Sequence, residues 1–210
     1  MSQKVSYITF MKHAKKVAKG PAIKSRPVLG GVIHREGYIA VTDSHRLYYA
    51  TDLYEGKEKN INPVTGEEID KGAYPEVERL IPESGTEVRS IKISDVSKLY
   101  DYVRAIEIVS RINKTTNIMA MEFDDGYFSI RTDDEITDGI VKYVEGTKEP
   151  DDIKTLYADI KYLKEALMLF RDAKMSGIVI NQYGINNPIT IVGGNLTTLI
   201  MPIRKKGSEL

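Results

Sequence analysis

Three times along its 210 residues the chain repeats one order of elements, an amphipathic helical stretch followed by runs of strand character. Isolated helices of this size are marginal in water, so each must lay an apolar stripe on a neighbouring layer. The first stretch spans roughly 6–19. Phe10, Ala14 and Val17 recur at helical spacing and face a core, while Lys12, Lys15, Lys16 and Lys19 share another face. The second begins near Ser94, the expected N-cap, and buries Val96, Leu99, Val103 and Ile106. The third begins near Asp159. It buries Leu163, Ala166 or Leu167, and Phe170, and it aligns Lys161, Lys164 and Arg171.

Strand-like runs follow each helix. After the first come Val28–His34 and Tyr38–Leu53, turning at Glu36-Gly37. After the second comes Asn117–Arg131, with a hairpin turn at 124–126, and then Ile136–Val144. After the third come Gly177–Gln182, Pro188–Val192 and Leu196–Ile203, with turns at Asn186-Asn187 and Gly193-Gly194. The pattern predicts an α+β protein of repeated helix-plus-antiparallel-sheet units, a repeat of architecture rather than of letters. Residues 55–73 interrupt it with Gly, Asn, Pro and charges and read as a loop or an exposed hairpin. Thr147–Asp152 reads as a polar connector.

Composition narrows the function classes. With 41% apolar and 29% charged residues this is a globular chain able to bury a core. It has no cysteine, which excludes disulfides, thiol chemistry and Cys-based zinc sites. No run approaches the roughly 18 apolar residues of a membrane span, and no signal peptide is apparent, so a cytoplasmic location is expected. The net charge of zero hides an asymmetry. No acid precedes Glu36, whereas residues 120–160 carry twelve acids against Arg131, Lys142, Lys148 and Lys154. One surface is therefore free to meet a polyanion while another stays acidic.

Three separated segments mix apolar side chains with Arg, Pro or Gly. They are Arg26–Val32 running on to Thr42-Asp43-Ser44-His45-Arg46-Leu47, then Tyr74–Pro82, then Leu199-Ile200-Met201-Pro202-Ile203-Arg204. In this order they resemble the peptide-binding pocket of the bacterial sliding clamp, the β subunit of DNA polymerase III. The resemblance implies a DNA-clamp fold in which a shortened first domain (1–73, like the first half of the family's middle domain) leads through a linker (74–82) to a complete C-terminal clamp domain (83–210). It implies apolar pocket walls from Leu29, Thr42, Leu47, Pro75, Leu80, Leu199, Met201, Pro202 and Ile203. Ser44, His45, Arg46, Arg79 and Arg204 stand at the rim, holding peptide carbonyls or carboxylates. Ser44 stands where the family usually has Gly. A Lys205–Leu210 extension runs beyond the usual clamp end.

The family resemblance also implies partners. Sequence-nonspecific duplex DNA would lie against Lys12, Lys15, Lys16 and Lys19 of the first helix and Lys161, Lys164 and Arg171 of the third, through phosphate attraction. Helix two mixes Lys98 and Arg104 with Asp101 and Glu107 and is expected to contribute less. A DNA polymerase and other replication proteins would dock through short peptide motifs, and a clamp loader is a further partner. A complete ring has twelve helix-plus-strands units against three here, so four copies restore the count, or three if the shortened domain fills a whole position. Such a reduced clamp suits a phage or mobile element better than a chromosome. The rival reading is a clamp mimic that forms no ring and sequesters clamp-binding proteins as a decoy.

Enzymatic readings are weaker. Ser44, His45 and Asp43 are sequence neighbours, whereas triad groups converge from separate segments. His13, His34 and His45 form no His-x-x-x-His pair, Asp133-Asp134-Glu135 reads as a solvated turn, and no Gly-rich phosphate loop is present. The expectation is a protein that is not an enzyme and holds neither cofactor nor metal.

Overall fold

The structure is a computed structural model and describes residues 3–69, 72–83, 85–87, 89–124, 126–133, 142–146, 154–184 and 186–204. Among these lie three α-helices and twelve strands in two antiparallel sheets, a mixed α+β architecture. The chain runs α1 (Tyr7–Val17), β1 (Val32–Arg35), β2 (Tyr38–Thr42), β3 (Arg46–Thr51), β4 (Lys59–Ile61) and β5 (Arg89–Ile93). It continues α2 (Val96–Ile112), β6 (Ile118–Asp124), β7 (Tyr127–Thr132), β8 (Lys142–Glu145) and β9 (Lys154–Asp159). It ends α3 (Ile160–Asp172), β10 (Ile178–Gln182), β11 (Ile189–Gly193) and β12 (Leu196–Ile200).

One sheet has the order β4-β1-β2-β3-β12-β11-β10-β5, the other β8-β7-β6-β9. The second and third units exchange strands. β5, which precedes α2, pairs with β10, and β9, which precedes α3, pairs with β6. The eight-stranded sheet is thus two four-stranded halves joined where Leu47 of β3 faces Leu199 of β12. In the first half β4 takes the place that β5 holds in the second. Its outer edge is closed by a fold-back. The Ile69 amide donates to the Asn60 carbonyl (2.7 Å) and the Asn62 amide to the Glu67 carbonyl (2.8 Å). That removes an open strand edge, which would otherwise template further pairing.

The helices form one layer with α3 in the middle. α1 runs antiparallel to it, with Lys12 beside Asp172 and Lys16 beside Met168. α2 lies antiparallel on the other flank, where Lys164 pairs with Glu107 and the Arg171 guanidinium sits 3.9 Å from the Tyr100 ring centroid. α2 and α3 also stop alike. Lys114 and Lys174 take left-handed conformations (φ 53° and 58°), and the next amides return to the Ser110 and Phe170 carbonyls. That is the capping geometry in which Gly is usual. Between helices and sheets lies the main core, including Phe10, Tyr48, Val103, Phe123, Leu163 and Phe170. A smaller cluster on the opposite face of the first half-sheet holds Leu29, Ile33, Tyr38, Ala40, Leu47, Tyr74, Val77 and Leu199. The period of two explains the split, since Leu47 and Tyr48 point to opposite faces.

Several boundaries differ from the sequence reading. Asp95, not Ser94, caps α2, accepting from the Lys98 amide at 2.9 Å. The run from Val28 opens as a 3-10 turn over Pro27–Gly30, because Pro27 lacks an amide and fixes φ, and β1 starts only at Val32. Tyr38–Leu53 is two strands, broken by a turn at Asp43-Ser44-His45 where Ser44 has φ 73°. Within 55–73, β4 and its 67–69 return make the hairpin that the sequence reading offered beside a loop, whereas β5 and β9 were not anticipated. β12 stops at Ile200, two residues before Pro202. Residues 134–141 (hence Asp134, Glu135 and most of Ile136–Val144), the connector from Thr147 and the extension from Lys205 lie outside the described residues.

Candidate functional site

The fold brings the three segments together on the outer face of the eight-stranded sheet. Leu47 stands opposite Thr42 on one side and Leu199 on the other. Tyr74 seals this floor. Its ring is buried, and its hydroxyl accepts the Thr42 amide at 3.1 Å and reaches the Gly31 carbonyl at 3.5 Å. Burial raises the Tyr74 pKa, so the phenol stays neutral and keeps its proton for Gly31. Val77, on a 3-10 turn over Val77–Leu80, is buried in the same cluster. That turn is tied down by Arg35, which reaches both carboxylate oxygens of Glu76, and by the Tyr38 hydroxyl donating to Glu78.

Around this floor the remaining predicted residues differ in exposure. Leu29, Leu47 and Leu199 are buried floor residues, and Thr42 is buried with its hydroxyl donating to the Arg46 carbonyl. Met201 and Leu80 are exposed, at 38% and 48%. Pro75, Arg79, Ser44, His45 and Arg204 are exposed, and Pro202 and Ile203 half-buried. Beyond β12 the chain stays extended. The Met201 amide donates to the His45 carbonyl (2.9 Å) and the Ile203 amide to the Tyr157 carbonyl (2.7 Å), so this segment bridges the two sheets. His45 stacks on Tyr162 of α3, with ring centroids 6.3 Å apart.

Arg46 is not a rim residue. Its side chain is 2% exposed and its guanidinium lies between Asp43 (3.0 Å) and Glu165 of α3 (2.5 Å), with its carbon 4.5 Å from the Tyr162 ring centroid. The family resemblance puts it at the pocket rim. The alternation of β3 turns it inward instead, next to Tyr48 and away from the outward Leu47. It joins the first unit to the third and leaves nothing to offer a peptide.

The lysine stripes are partly neutralised within the chain. Lys12 and the buried His13 both meet Asp172, at 2.8 and 2.9 Å, and Lys16 lies 4.0 Å from Glu165. Lys164 is bound to Glu107, and Arg171 stacks on Tyr100. Lys15, Lys19 and Lys161 are exposed and, among the described residues, carry no ion pair. Burial raises the Asp172 pKa, but hydrogen bonds and charge from Lys12 and His13 outweigh it, and the net shift is downward. Among the described residues no group of His, Asp and Glu could hold a metal ion, and no helix is long and apolar enough to cross a membrane.

Sequence reasoning missed Tyr74 as the seal, Asp43 and Glu165 as the partners of Arg46, and Tyr162 as the platform for His45. For Tyr74 a signal existed, since an aromatic directly before Pro75 in a polar linker needs a burial site. For Glu165 none existed, because the ion pair joins residues 119 positions apart.

Comparison with known proteins was made on sequence and on structure. No protein-family model matches the sequence, and no curated protein matches it. Solved structures do. The DNA polymerase III beta chain of Streptococcus pneumoniae superposes with a TM-score of 0.70 at 18% identity, over 96% of this chain and 64% of that one. The Helicobacter pylori beta clamp, bound to a DNA ligase peptide, gives 0.71 at 13% identity, over 97% and 66%. The Bartonella birtlesii sliding clamp, bound to griselimycin, gives 0.69 at 12% identity, over 94% and 64%. The chain therefore has the sliding-clamp fold and spans about two thirds of the length of the clamp chains it matches.

Proposed function

We propose that the chain is a sliding-clamp-like processivity factor, which assembles with copies of itself around duplex DNA and captures short peptides of replication proteins. The observation that carries this reading is the convergence of Leu29, Thr42, Leu47 and Leu199 under Tyr74, ringed by the exposed Met201 and Leu80. Apolar side chains with a few polar groups beside them are what peptide anchors need, and the exposed Met201 adapts to varied anchors. The peptide held by the Helicobacter clamp supports the same use of this fold. The reading implies a shortened domain (1–73), a linker (74–82) and a complete clamp domain (83–210), with Lys15, Lys19 and Lys161 as the phosphate-facing cations. A loader and a cytoplasmic location belong to the same reading.

Titration calorimetry with a Gln-Leu-x-Leu-Phe peptide tests it. Binding is expected, and Met201→Ala should weaken it about tenfold, an interface hot-spot loss. Absence of binding would refute peptide capture. The pairing of Lys12, Lys16 and Lys164 with acids favours the second reading, a decoy that forms no ring. Processivity on primed circular DNA separates the two, since a decoy lowers it and a clamp raises it.

A further inference from the structure

The fold-back that closes β4 builds a groove as well as an edge. Between the end of α1 and the 62–69 segment lies a cavity of 570 Å³, with apolar walls from Ala18, Ile23, Val64 and Ile69. Among the described residues its charged lining is Glu67 and Glu68 against Lys19. Val64 is 53% exposed, a large apolar side chain left open to solvent. The opposite flank of the helix layer carries an exposed apolar tip. α2 ends in Arg111-Ile112-Asn113-Lys114, where the left-handed Lys114 turns the chain back and leaves Ile112 69% exposed.

We propose that the Ile112 tip of one copy seats in the Glu67–Glu68 groove of the next. The contact rests on the ring reading given above and names the surfaces that close it. Charge favours a second copy as occupant, since the tip sets two cations beside an apolar anchor and the groove sets two carboxylates beside apolar walls. Geometry favours it too. α1 and α2 both run antiparallel to α3, so they are parallel to each other and their C-terminal ends lie at the same end of the helix layer. Groove and tip thus lie toward the same end of the layer on opposite flanks, with the tip reaching farther along α3. Two different patches on opposite flanks make a head-to-tail contact, which propagates to a closed ring when its rotation closes.

Light scattering and sedimentation of the full chain test the contact, with far-UV circular dichroism and a cooperative urea transition as the check that each variant is folded. Ile112→Asp, the pair Glu67→Lys with Glu68→Lys, and the pair Arg111→Glu with Lys114→Glu should each weaken assembly by at least about tenfold. Combining the two charge-reversed pairs should restore most of it. Assembly unchanged in Ile112→Asp and in both pairs, or no recovery in the combined variant, overturns this contact and leaves the ring standing. A wild-type chain that stays monomeric at high concentration overturns the ring and this contact together, while peptide capture stands or falls separately.

Discussion

The two halves of the eight-stranded sheet follow one plan and are completed differently. In the second half the fourth strand, β5, comes from a neighbouring unit that also supplies α2 and a second sheet. In the first half β4 stands in the same position, but the chain then folds back on it with residues 67–69. α2 and α3 pack as partners within one repeat pair. α1 instead leans on α3 through Lys12, His13 and Lys16 and is fixed by the Arg46 bridge. An incomplete repeat is thus held to a complete one by the β3–β12 ladder, a shared apolar core and a buried ionic bridge, where the complete pair adds strand exchange.

The comparison breaks most severely at Arg46. Arg46→Ala leaves Asp43 and Glu165 buried without their cation and should cost about 3–5 kcal/mol in chemical denaturation. A loss under 1 kcal/mol would show that the first unit does not depend on the bridge. Tyr74→Phe orphans the buried Thr42 amide and should cost about 1–3 kcal/mol while also loosening the peptide floor. If stability falls but peptide affinity does not, Tyr74 only seals the floor.

Acid should loosen the first unit before the rest. Burial lowers the pKa of both His13 and His34 below 6.5, against the opposing hydrogen bonds of Asp172 and the Val32 carbonyl. Folding therefore favours the neutral imidazoles. Their contribution is fully present above pH 6.5 and is lost as pH falls from there through the folded pKa values. Protonated His13 would carry a second N–H at its buried and unpartnered Nδ1. The urea midpoint should fall between pH 7.5 and pH 5.5, and amide exchange should rise first in α1 and β1. Uniform exchange over the whole chain would contradict this. The smallest effect is at Ser44. Its φ of 73° suits glycine, so Ser44→Gly should raise stability by about 0.5–1 kcal/mol, read as a small rise in melting temperature.

Much of this was legible in the sequence. The 3.6-residue period of Phe10, Ala14 and Val17, and of Val96, Leu99, Val103 and Ile106, located two helices with their buried faces, and Leu163 to Phe170 located the third. Alternation and turn residues located most strands. β5 was hidden because Arg89-Ser90-Ile91-Lys92-Ile93 is short, polar and at the sheet end, where solvent tolerates charge. The three outer-face segments could be read as one pocket because their residue types and order matched a known pattern. Which side chains face the peptide and which face the core was not readable there.

By itself the sequence determined the repeat and the helix faces, because periodicity and local turn chemistry depend only on near neighbours, while the gathering of the three outer-face segments was implied only by the family resemblance. Tertiary structure alone decided that Arg46 is a buried bridge, that half the lysine stripe is spent on Asp172, Glu165 and Glu107, and that residues 67–69 close β4. Those outcomes depend on which charge meets which across scores of residues, and a linear pattern carries no distance of that kind.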